Sequence, residues 1–304
     1  MRPDPAPPVG RQRRSRRLSS LGTASAFLLP LGLFYGLYFV YAFVFLFRTS
    51  RQQVDLSFTD IVDVGWNNFR LVLTDDYFRR AIINNFVIAG VWTAAALTIA
   101  FFIAMSLASG VRLRRFFYIV FLLPSLIPLS LFATVFGRML ETDSGAVNQV
   151  MRALGLARFA QDWLGSEGPA YAALFVLLVL LIGLPITYYT SDLSTVSTAV
   201  LESAMIDGAS TWQFYRLILF PMMRNTHRTV ILSTVLGTFR AFDLVFFSTR
   251  GEPGGRTAIA GTYLYQQTLG ESRVGYASAA AIIVLAVALI VSAINLVIQK
   301  RIDR

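Results

Sequence analysis

The sequence contains no cysteine, and histidine and lysine each occur once, as His227 and Lys300. The absence of cysteine excludes disulfide bonds, thiolate metal sites and cysteine nucleophiles. A single histidine excludes a metal site built from several histidines. A phosphate-binding P-loop needs Gly-Lys-Ser or Gly-Lys-Thr. Because Lys300 follows Gln299, the chain is not a P-loop ATPase.

Charge is also scarce, since only 14% of the 304 residues are charged, whereas soluble domains carry about a quarter. Hydrophobic residues make up 55% of the chain, and the mean hydropathy is +0.59. These values exclude an ordinary soluble domain, and they exclude a disordered chain, which needs low hydrophobicity. The composition therefore predicts a membrane protein.

Apolar stretches long enough to cross a bilayer, which takes about 20 residues, occur six times. They are continuous rather than alternating, so they predict helices and not a membrane barrel. We therefore expect an all-α membrane protein of six transmembrane helices. The predicted spans are residues 24–47, 81–109, 116–137, 170–190, 229–248 and 276–298.

The distribution of arginine predicts the orientation of these spans. With both termini in the cytoplasm, the inside segments hold 15 of the 27 basic residues and only five of the 17 acidic ones. The positive-inside rule favours this topology over its reverse. The net charge of +10 then reflects contact with anionic membrane lipids rather than with nucleic acid.

The N-terminus resembles the start of a twin-arginine export signal at Ser15-Arg16-Arg17-Leu18. The apolar stretch after it is about twice too long for a cleaved signal, so we interpret it as an anchored first span. Residues 1–23 are rich in Pro and Arg without apolar periodicity, which predicts a mobile basic cytoplasmic tail. The transmembrane domain is then expected at 24–304.

The predicted cytoplasmic loop 191–228 is amphipathic and contains signals for two short helices. Asp207-Gly208 is a turn signal that should end the first helix. Ser210 and Gln213 have capping-box spacing and should start the second, which Pro221 should kink or end. From these patterns alone, an interfacial amphipathic helix and a docking segment both remain open.

The same loop carries a known motif, because it resembles the EAA motif of ABC importer permeases. That motif reads Glu-Ala-Ala, three residues, Gly, nine residues and Ile-x-Leu-Pro. Ser203 replaces the second motif residue, and Phe220 replaces the Leu. The matching positions are Glu202, Ser203, Ala204, Asp207, Gly208, Ala209, Ile218 and Pro221.

Further motifs extend the resemblance to the carbohydrate and glycerol-phosphate importers with the MetI-like fold, such as the maltose permease subunits. The matching segments are Gly65-Trp66-Asn67-Asn68-Phe69, Asn84-Asn85, Leu123-Pro124 with Ile127-Pro128, Phe239-Arg240-Ala241-Phe242-Asp243 with Gly251-x-Pro253-Gly254-Gly255, and Gly275-Tyr276-Ala277-Ser278-Ala279.

The resemblance implies the pore subunit of an ATP-driven sugar importer in the bacterial cell membrane. The loop would be a coupling helix that docks on a cytoplasmic ATPase dimer, which binds the ATP and Mg²⁺. Glu202 would pair with a basic residue of that ATPase, while Ala204 and Gly208 permit close approach. Other implied partners are a second, distinct permease subunit and an extracellular solute-binding lipoprotein. No cofactor or metal is expected in this chain.

Candidate substrate-path residues follow from the fifth span, where Thr234, Thr238 and Ala241 form one helical stripe. In related permeases the corresponding stripe faces the path, but small and hydroxyl residues also serve helix packing. Gly183, with Pro185, should break the fourth span and free backbone carbonyls toward a cavity.

Arg240 and Asp243 are three residues apart in the fifth span and are expected to be neighbours on one helix face. A self-neutralising structural pair and a contact with substrate or another subunit both remain open. Tyr188 and Tyr189 fit interface anchors as well as ligand contacts, and we assign His227 no role.

Three other function classes are weighed against the importer. An ion-coupled secondary transporter should show inverted repeats and several carboxylates within spans, but Asp243 is the single candidate carboxylate. A membrane enzyme needs a cluster of His, Asp, Glu or Cys near an interface, and the sequence has none. An ABC permease for a non-sugar solute is the nearest alternative.

Overall fold

The computed structural model describes the backbone of residues 10–302 and the side chains of residues 28–295 and 297. Within this range the chain is mostly helical. Its α-helices are α1 (Gly10–Ser50), α2 (Asn67–Thr74), α3 (Asp76–Ala95), α4 (Phe101–Ala108), α5 (Arg114–Leu126), α6 (Leu129–Met139), α7 (Ala146–Ala153), α8 (Glu167–Leu180), α9 (Gly183–Leu193), α10 (Thr198–Ile206), α11 (Thr211–Gln213), α12 (Phe220–Met222), α13 (Arg224–Phe239), α14 (Phe242–Ser248), α15 (Ala260–Tyr265) and α16 (Val274–Ile302).

Three π-helical turns and one 3₁₀ turn complete the helices; the π turns are Ala96–Ala100, Phe214–Leu219 and Gln266–Gly270, and the 3₁₀ turn is Ala157–Phe159. A small departure from the all-α expectation is a pair of two-residue strands. β1 (Gln52–Gln53) pairs antiparallel with β2 (Val62–Asp63) in the segment between α1 and α2.

Four helical segments of the described chain are long and apolar enough to cross a membrane, and the number rises to six if two bent helix pairs each count as one span. The four are Leu28–Ser50, Asp76–Ala108, Glu167–Leu193 and Val274–Asn295. They coincide, within a few residues, with four of the predicted spans. The remaining two predicted spans are the bent pairs.

The third predicted span is not one straight helix, because α5 and α6 meet at an angle of 98°. Ile127 has an extended backbone, with φ −76° and ψ 139°, directly before Pro128. A residue before proline avoids the helical region, so the helix ends there and restarts at Leu129. The fifth span also bends, by 52°, between α13 and α14.

The first helix begins at Gly10, so helical backbone extends into the predicted tail, and residues 1–9 lie outside the described part. From Leu28 onward α1 packs along α16 and leaves most of its apolar side chains exposed. These exposed side chains are an apolar surface for lipid or for another membrane chain.

The helices form a bundle with two ends, which we name after a helix at each. The α10 end holds the end of α4, the start of α5, the end of α9 and the helices α10 to α12. The α15 end holds β1, β2, α2, α7 and α15. The predicted loop 191–228 corresponds to the segment between α9 and α13.

Candidate functional site

The first helix of the connecting segment, α10, ends through two backbone hydrogen bonds. The Ala209 N–H donates to Ala204 O at 2.9 Å, and the Gly208 N–H donates to Met205 O at 3.1 Å. This is a Schellman motif, and Gly208 has the positive φ of +77° that it requires. The predicted helix end at Asp207-Gly208 is therefore confirmed.

The second helix of the segment starts at the predicted capping box. Gln213 N–H donates to Ser210 Oγ at 3.3 Å, and Ser210 N–H donates to Gln213 Oε1 at 2.8 Å. Pro221, however, does not end this helix, which runs on to Met222 before the chain turns at Met223. The π-helical turn before Pro221 shifts the backbone bonding register, so the missing N–H is accommodated.

The outward tip of the segment combines acidic and apolar side chains. Glu202, Ser203 and Asp207 are exposed. Met205 is 66% exposed and Ile206 is 86% exposed, although both are large apolar residues. An exposed apolar patch rimmed by charge is typical of a protein-docking surface.

Two residues that were expected to make room for a partner, Ala204 and Gly208, also have roles within this chain. Ala204 is only 4% exposed and packs in the same core cluster as Phe214 and Leu219. Its small side chain therefore serves packing within the chain. No described atom of this chain lies within 4 Å of where a Cβ on Gly208 would lie, so within the chain the turn accounts for this glycine. Close approach of a partner at Gly208 stays a prediction.

His227, which the sequence left without a role, ties this segment to the bundle. Its Nε2 lies 2.9 Å from Phe220 O, and its Nδ1 lies 2.8 Å from the Tyr189 hydroxyl. Because a carbonyl only accepts, Nε2 carries the proton and neutral Nδ1 accepts from Tyr189. Thr226 adds a second link from α13 to α9 by donating to Asp192 Oδ2 at 2.5 Å. The sequence feature that could have pointed to this role is the presence of a single histidine in an otherwise apolar chain.

The predicted stripe Thr234, Thr238 and Ala241 is buried inside the chain. The Thr234 hydroxyl lies 2.8 Å from the Thr93 hydroxyl of α3, and Thr238 O accepts a hydrogen bond from Asn85 Nδ2 at 3.1 Å. The packing interpretation accounts for these contacts. A role in the substrate path stays a prediction.

Gly183 follows the break of the fourth predicted span, since α8 ends at Leu180 and α9 begins at Gly183. A Cβ on Gly183 would lie 2.6 Å from Ser125 Oγ and 2.7 Å from Phe121 O. The glycine thus allows α9 to cross close against α5. Its own carbonyl accepts from the Thr187 hydroxyl at 3.0 Å, so it is not freed toward a cavity.

Arg240 and Asp243 do not form the expected pair on one helix face. Arg240 follows the end of α13, and Asp243 lies in the first turn of α14 beyond the 52° bend. No ion pair joins them in the described structure, because the bend separates positions that an unbroken helix would align. The geometry therefore gives no support to a self-neutralising pair, and a contact of either residue with substrate or another subunit stays a prediction.

Two adjacent asparagines of α3, which sequence reasoning quoted without a role, organise the α15 end. Asn84 Nδ2 donates to Arg256 O at 2.6 Å and to Ala258 O at 2.7 Å. Asn85 donates to Thr238 O and accepts from the Ala260 N–H at 2.8 Å. Together they hold the loop after α14 and the break between α13 and α14.

Asp75 forms a third polar centre at the α15 end. Its Oδ2 accepts hydrogen bonds from the hydroxyls of Tyr263 at 2.6 Å and Tyr276 at 2.9 Å. Its Oδ1 accepts from the first N–H groups of α3 at Tyr77 and Phe78. Partial burial alone would raise the pKa of Asp75, but these hydrogen bonds outweigh it and lower the pKa below its usual value.

No group of three His, Cys, Asp or Glu side chains in the described residues could hold a metal ion. The geometry assembled above is thus a helical bundle with buried polar contacts at the α15 end and an exposed apolar tip at the α10 end.

Comparison with known proteins gives the class of this protein. A family model described as "Binding-protein-dependent transport system inner membrane component" matches residues 96–304, and the chain belongs to this family. It is therefore a multi-pass membrane transport subunit.

Two relatives and one solved structure match most of the chain. MsmF, the multiple sugar-binding transport system permease protein of Streptococcus mutans, is 27% identical and aligns over 79% of this chain and 82% of its own. AraP, the arabinooligosaccharides transport system permease protein of Bacillus subtilis, is 27% identical over 96% and 94%. One chain of a bacterial alginate ABC transporter, crystallised with an alginate pentasaccharide-bound periplasmic protein, matches with a TM-score of 0.79 at 19% identity over 95% and 98%, which establishes the fold.

Proposed function

We propose that this chain is the transmembrane pore subunit of an ATP-driven ABC importer for a sugar or oligosaccharide. The observation that carries the proposal is the exposed tip around Glu202, Met205 and Ile206, at the position of the coupling motif in a chain of this family. The names of the relatives support the sugar class. The chain is a transport subunit and not an enzyme.

The tip docks on a separate cytoplasmic ATPase dimer, where ATP and Mg²⁺ bind. Glu202 pairs with a basic residue of the ATPase, and Met205 and Ile206 enter an apolar groove. Closure of the ATPase dimer moves α10, and the links through Tyr189 and His227 pass that movement to α9 and α13. The spans then rock between inward-open and outward-open states.

The complete importer contains two further proteins. A second and distinct permease subunit covers the exposed apolar face of this chain, and the substrate passes between the two subunits. An extracellular solute-binding lipoprotein delivers the sugar to the α15 end. The periplasmic partner of the structurally similar alginate transporter supports this arrangement.

In the bacterial cell membrane, the α10 end and both termini lie in the cytoplasm, and the two bent helix pairs complete six spans. Because the chain has no cysteine, single introduced cysteines test this topology without background. A membrane-impermeant maleimide should label Ser166→Cys in intact spheroplasts, and it should label Thr198→Cys after lysis only. The reverse pattern would contradict the orientation.

Mass spectrometry of proteins that copurify with the tagged chain from native membranes tests the function. We expect a P-loop ATPase and a second EAA-bearing permease in stoichiometric amounts. Glu202→Lys should release the ATPase, whereas Asp143→Lys, the same charge change on an exposed residue of the loop between α6 and α7, should retain it. A copurified binding protein can then be screened against sugars. Recovery of the chain alone would contradict the importer.

A further inference from the structure

A cavity of about 670 Å³ at the α10 end has no role in the transport scheme. It lies between the end of α4, the start of α5 and the end of α9. Its wall combines apolar side chains, hydroxyl groups and two adjacent arginines, Arg114 and Arg115. The remaining lining residues are Leu107, Ala108, Tyr118, Ile119, Thr187, Thr190, Ser191, Leu193 and Ser194.

Most hydroxyl groups of this cavity are already satisfied. Thr187, Thr190 and Ser194 donate to backbone carbonyls of their own helix at 3.0, 2.9 and 2.6 Å. The side chains of Arg114 and Arg115, in contrast, make no hydrogen bond or ion pair with any described residue. Two guanidinium groups with five N–H donors each are therefore the main unused binding capacity of the wall.

The position of these arginines in α5 is unfavourable without an anion. Both lie in the first turn, where a helix dipole favours negative charge and disfavours cations. The N-cap residue Leu113 offers no side-chain cap, so the first N–H groups of the helix also lack a side-chain acceptor. An anion in the cavity would compensate the arginines and the helix terminus together.

We propose that this cavity binds the phosphate headgroup of an anionic phospholipid, and that the two arginines favour a lipid with two phosphates, such as cardiolipin. Basic pockets between transmembrane helices on the cytoplasmic side are suited to such headgroups. Exposed apolar residues of α5, among them Phe116 and Ile119, line the course of an acyl chain away from the cavity. The choice of leaflet rests on the proposed cytoplasmic position of the α10 end.

A lipid in this cavity would join the start of α5 to the end of α9. The last lining residue, Ser194, is followed three residues later by Ser197, which caps α10. The bound lipid thus fixes the base of the docking tip relative to the spans.

Native mass spectrometry tests the proposal on the full chain reconstituted in phosphatidylcholine bilayers with and without cardiolipin. The double variant Arg114→Gln, Arg115→Gln should retain cardiolipin about 30-fold less well than the wild type, at about fivefold for each surface arginine. The matched control is Arg112→Gln, which removes an exposed charge from the same loop without lining the cavity. It should lower retention measurably less than Arg114→Gln or Arg115→Gln alone.

A second variant distinguishes lipid binding in the cavity from general electrostatic attraction between anionic lipids and basic residues. Ser191→Trp keeps both arginines but fills the space between the helices, and it should also abolish selective retention. Variants with unchanged melting temperature in pure phosphatidylcholine are folded and qualify for comparison. Equal cardiolipin retention in Ser191→Trp and wild type would show that the lipid does not bind in the cavity. Equal losses of retention in Arg112→Gln and in each of the single variants Arg114→Gln and Arg115→Gln would show that the two lining arginines do not form a specific site.

Inorganic phosphate added to phosphatidylcholine bilayers should not raise the melting temperature of the chain, whereas cardiolipin should. If phosphate alone reproduced the shift, a lipid would not be the occupant and the proposal would fail. These readouts need neither ATPase nor sugar. Their failure therefore leaves the importer function standing, and failure of the copurification experiment leaves the lipid site testable.

Discussion

The two ends of the bundle are held together differently. At the α15 end, buried asparagine side chains bridge segments far apart in sequence, as Asn85 does between α13 and the start of α15. Asn148 likewise joins Thr142 O, Gln161 O and the Trp163 indole around α7. At the α10 end, the Schellman turn and the capping box are local, and Ile206 projects from the surface. The long-range hydrogen bonds of this end include those of His227 and Thr226 to α9, at the base of the tip.

This difference reflects what each end has to do. Irregular segments at the α15 end bury backbone polar groups, and each such group needs a partner. The asparagine amide provides a donor and an acceptor at once, so one side chain can hold two segments. The α10 end leaves the apolar side chains of Met205 and Ile206 exposed, as the proposed docking of the ATPase requires. Stability is therefore expected to depend on the first end and assembly on the second.

Asn85→Ala tests how far stability depends on the α15 end, and among these variants it should lower the free energy of unfolding most. The change leaves the buried Ala260 N–H without a partner and removes one of the hydrogen bonds to Thr238 O, which still accepts from the Ala241 N–H. The two losses should lower the free energy of unfolding by about 3 kcal/mol. The control Asn67→Ala removes an exposed amide whose side chain makes no hydrogen bond within the described residues. Thermal unfolding in detergent measures both, and equal melting temperatures for the two variants would refute the role of Asn85.

Gly183→Ala tests the close crossing of α9 against α5, which lies between the two ends of the bundle. The new methyl group would lie 2.6 Å from Ser125 Oγ and 2.7 Å from Phe121 O, so α5 or α9 has to move. We expect a loss of about 2 kcal/mol, the usual range for overpacking. Gly168→Ala on α8 is the matched control, since nothing lies within 4 Å of its Cβ position. A neutral Gly183→Ala would show that the crossing is looser than the structure has it.

The pH dependence of unfolding tests the contribution of Asp75 to stability at the α15 end. Its pKa is lowered in the folded chain, so its contribution is present above the unfolded value of 3.8 and is lost as pH falls through the folded value. Below about pH 5 the wild type should lose stability more steeply than Asp75→Asn. The exposed Asp60→Asn should follow the wild-type curve. Parallel curves of stability against pH for wild type and Asp75→Asn would show that the Asp75 carboxylate does not contribute to the pH dependence.

Local patterns predicted much of this molecule. The lengths of the apolar runs located the candidate spans, and the spacings of Asp207-Gly208 and Ser210 with Gln213 located the helix ends of the docking segment. Each of these signals acts within a few residues of itself. The break before Pro128 has a local cause too, but the apolar run across it hid the 98° turn.

Long-range pairings were beyond the same patterns. Helical periodicity put Thr234 and Thr238 on one stripe, but it does not say which helix faces that stripe, and the structure places α3 there. Arg240 and Asp243 looked like neighbours because the bend between them was not foreseen. The partnership of Tyr189 with His227 joins residues 38 positions apart, and no local pattern encodes it.

Ile206→Asp sharpens the contrast between the ends because its effect on stability should be the smallest. Ile206 is already 86% exposed, so the change removes little buried surface, and the melting temperature of the isolated chain should stay within the error of the wild type. The proposed docking predicts that the same variant loses the ATPase on purification, because the change would place a charge in the apolar groove proposed to receive the tip. Ala204→Asp provides the opposite control, since it places a charge in the core and should destabilise the chain itself. A stable Ile206→Asp chain that still binds the ATPase would show that the apolar tip is not the docking surface, and the exposed end would then need another explanation.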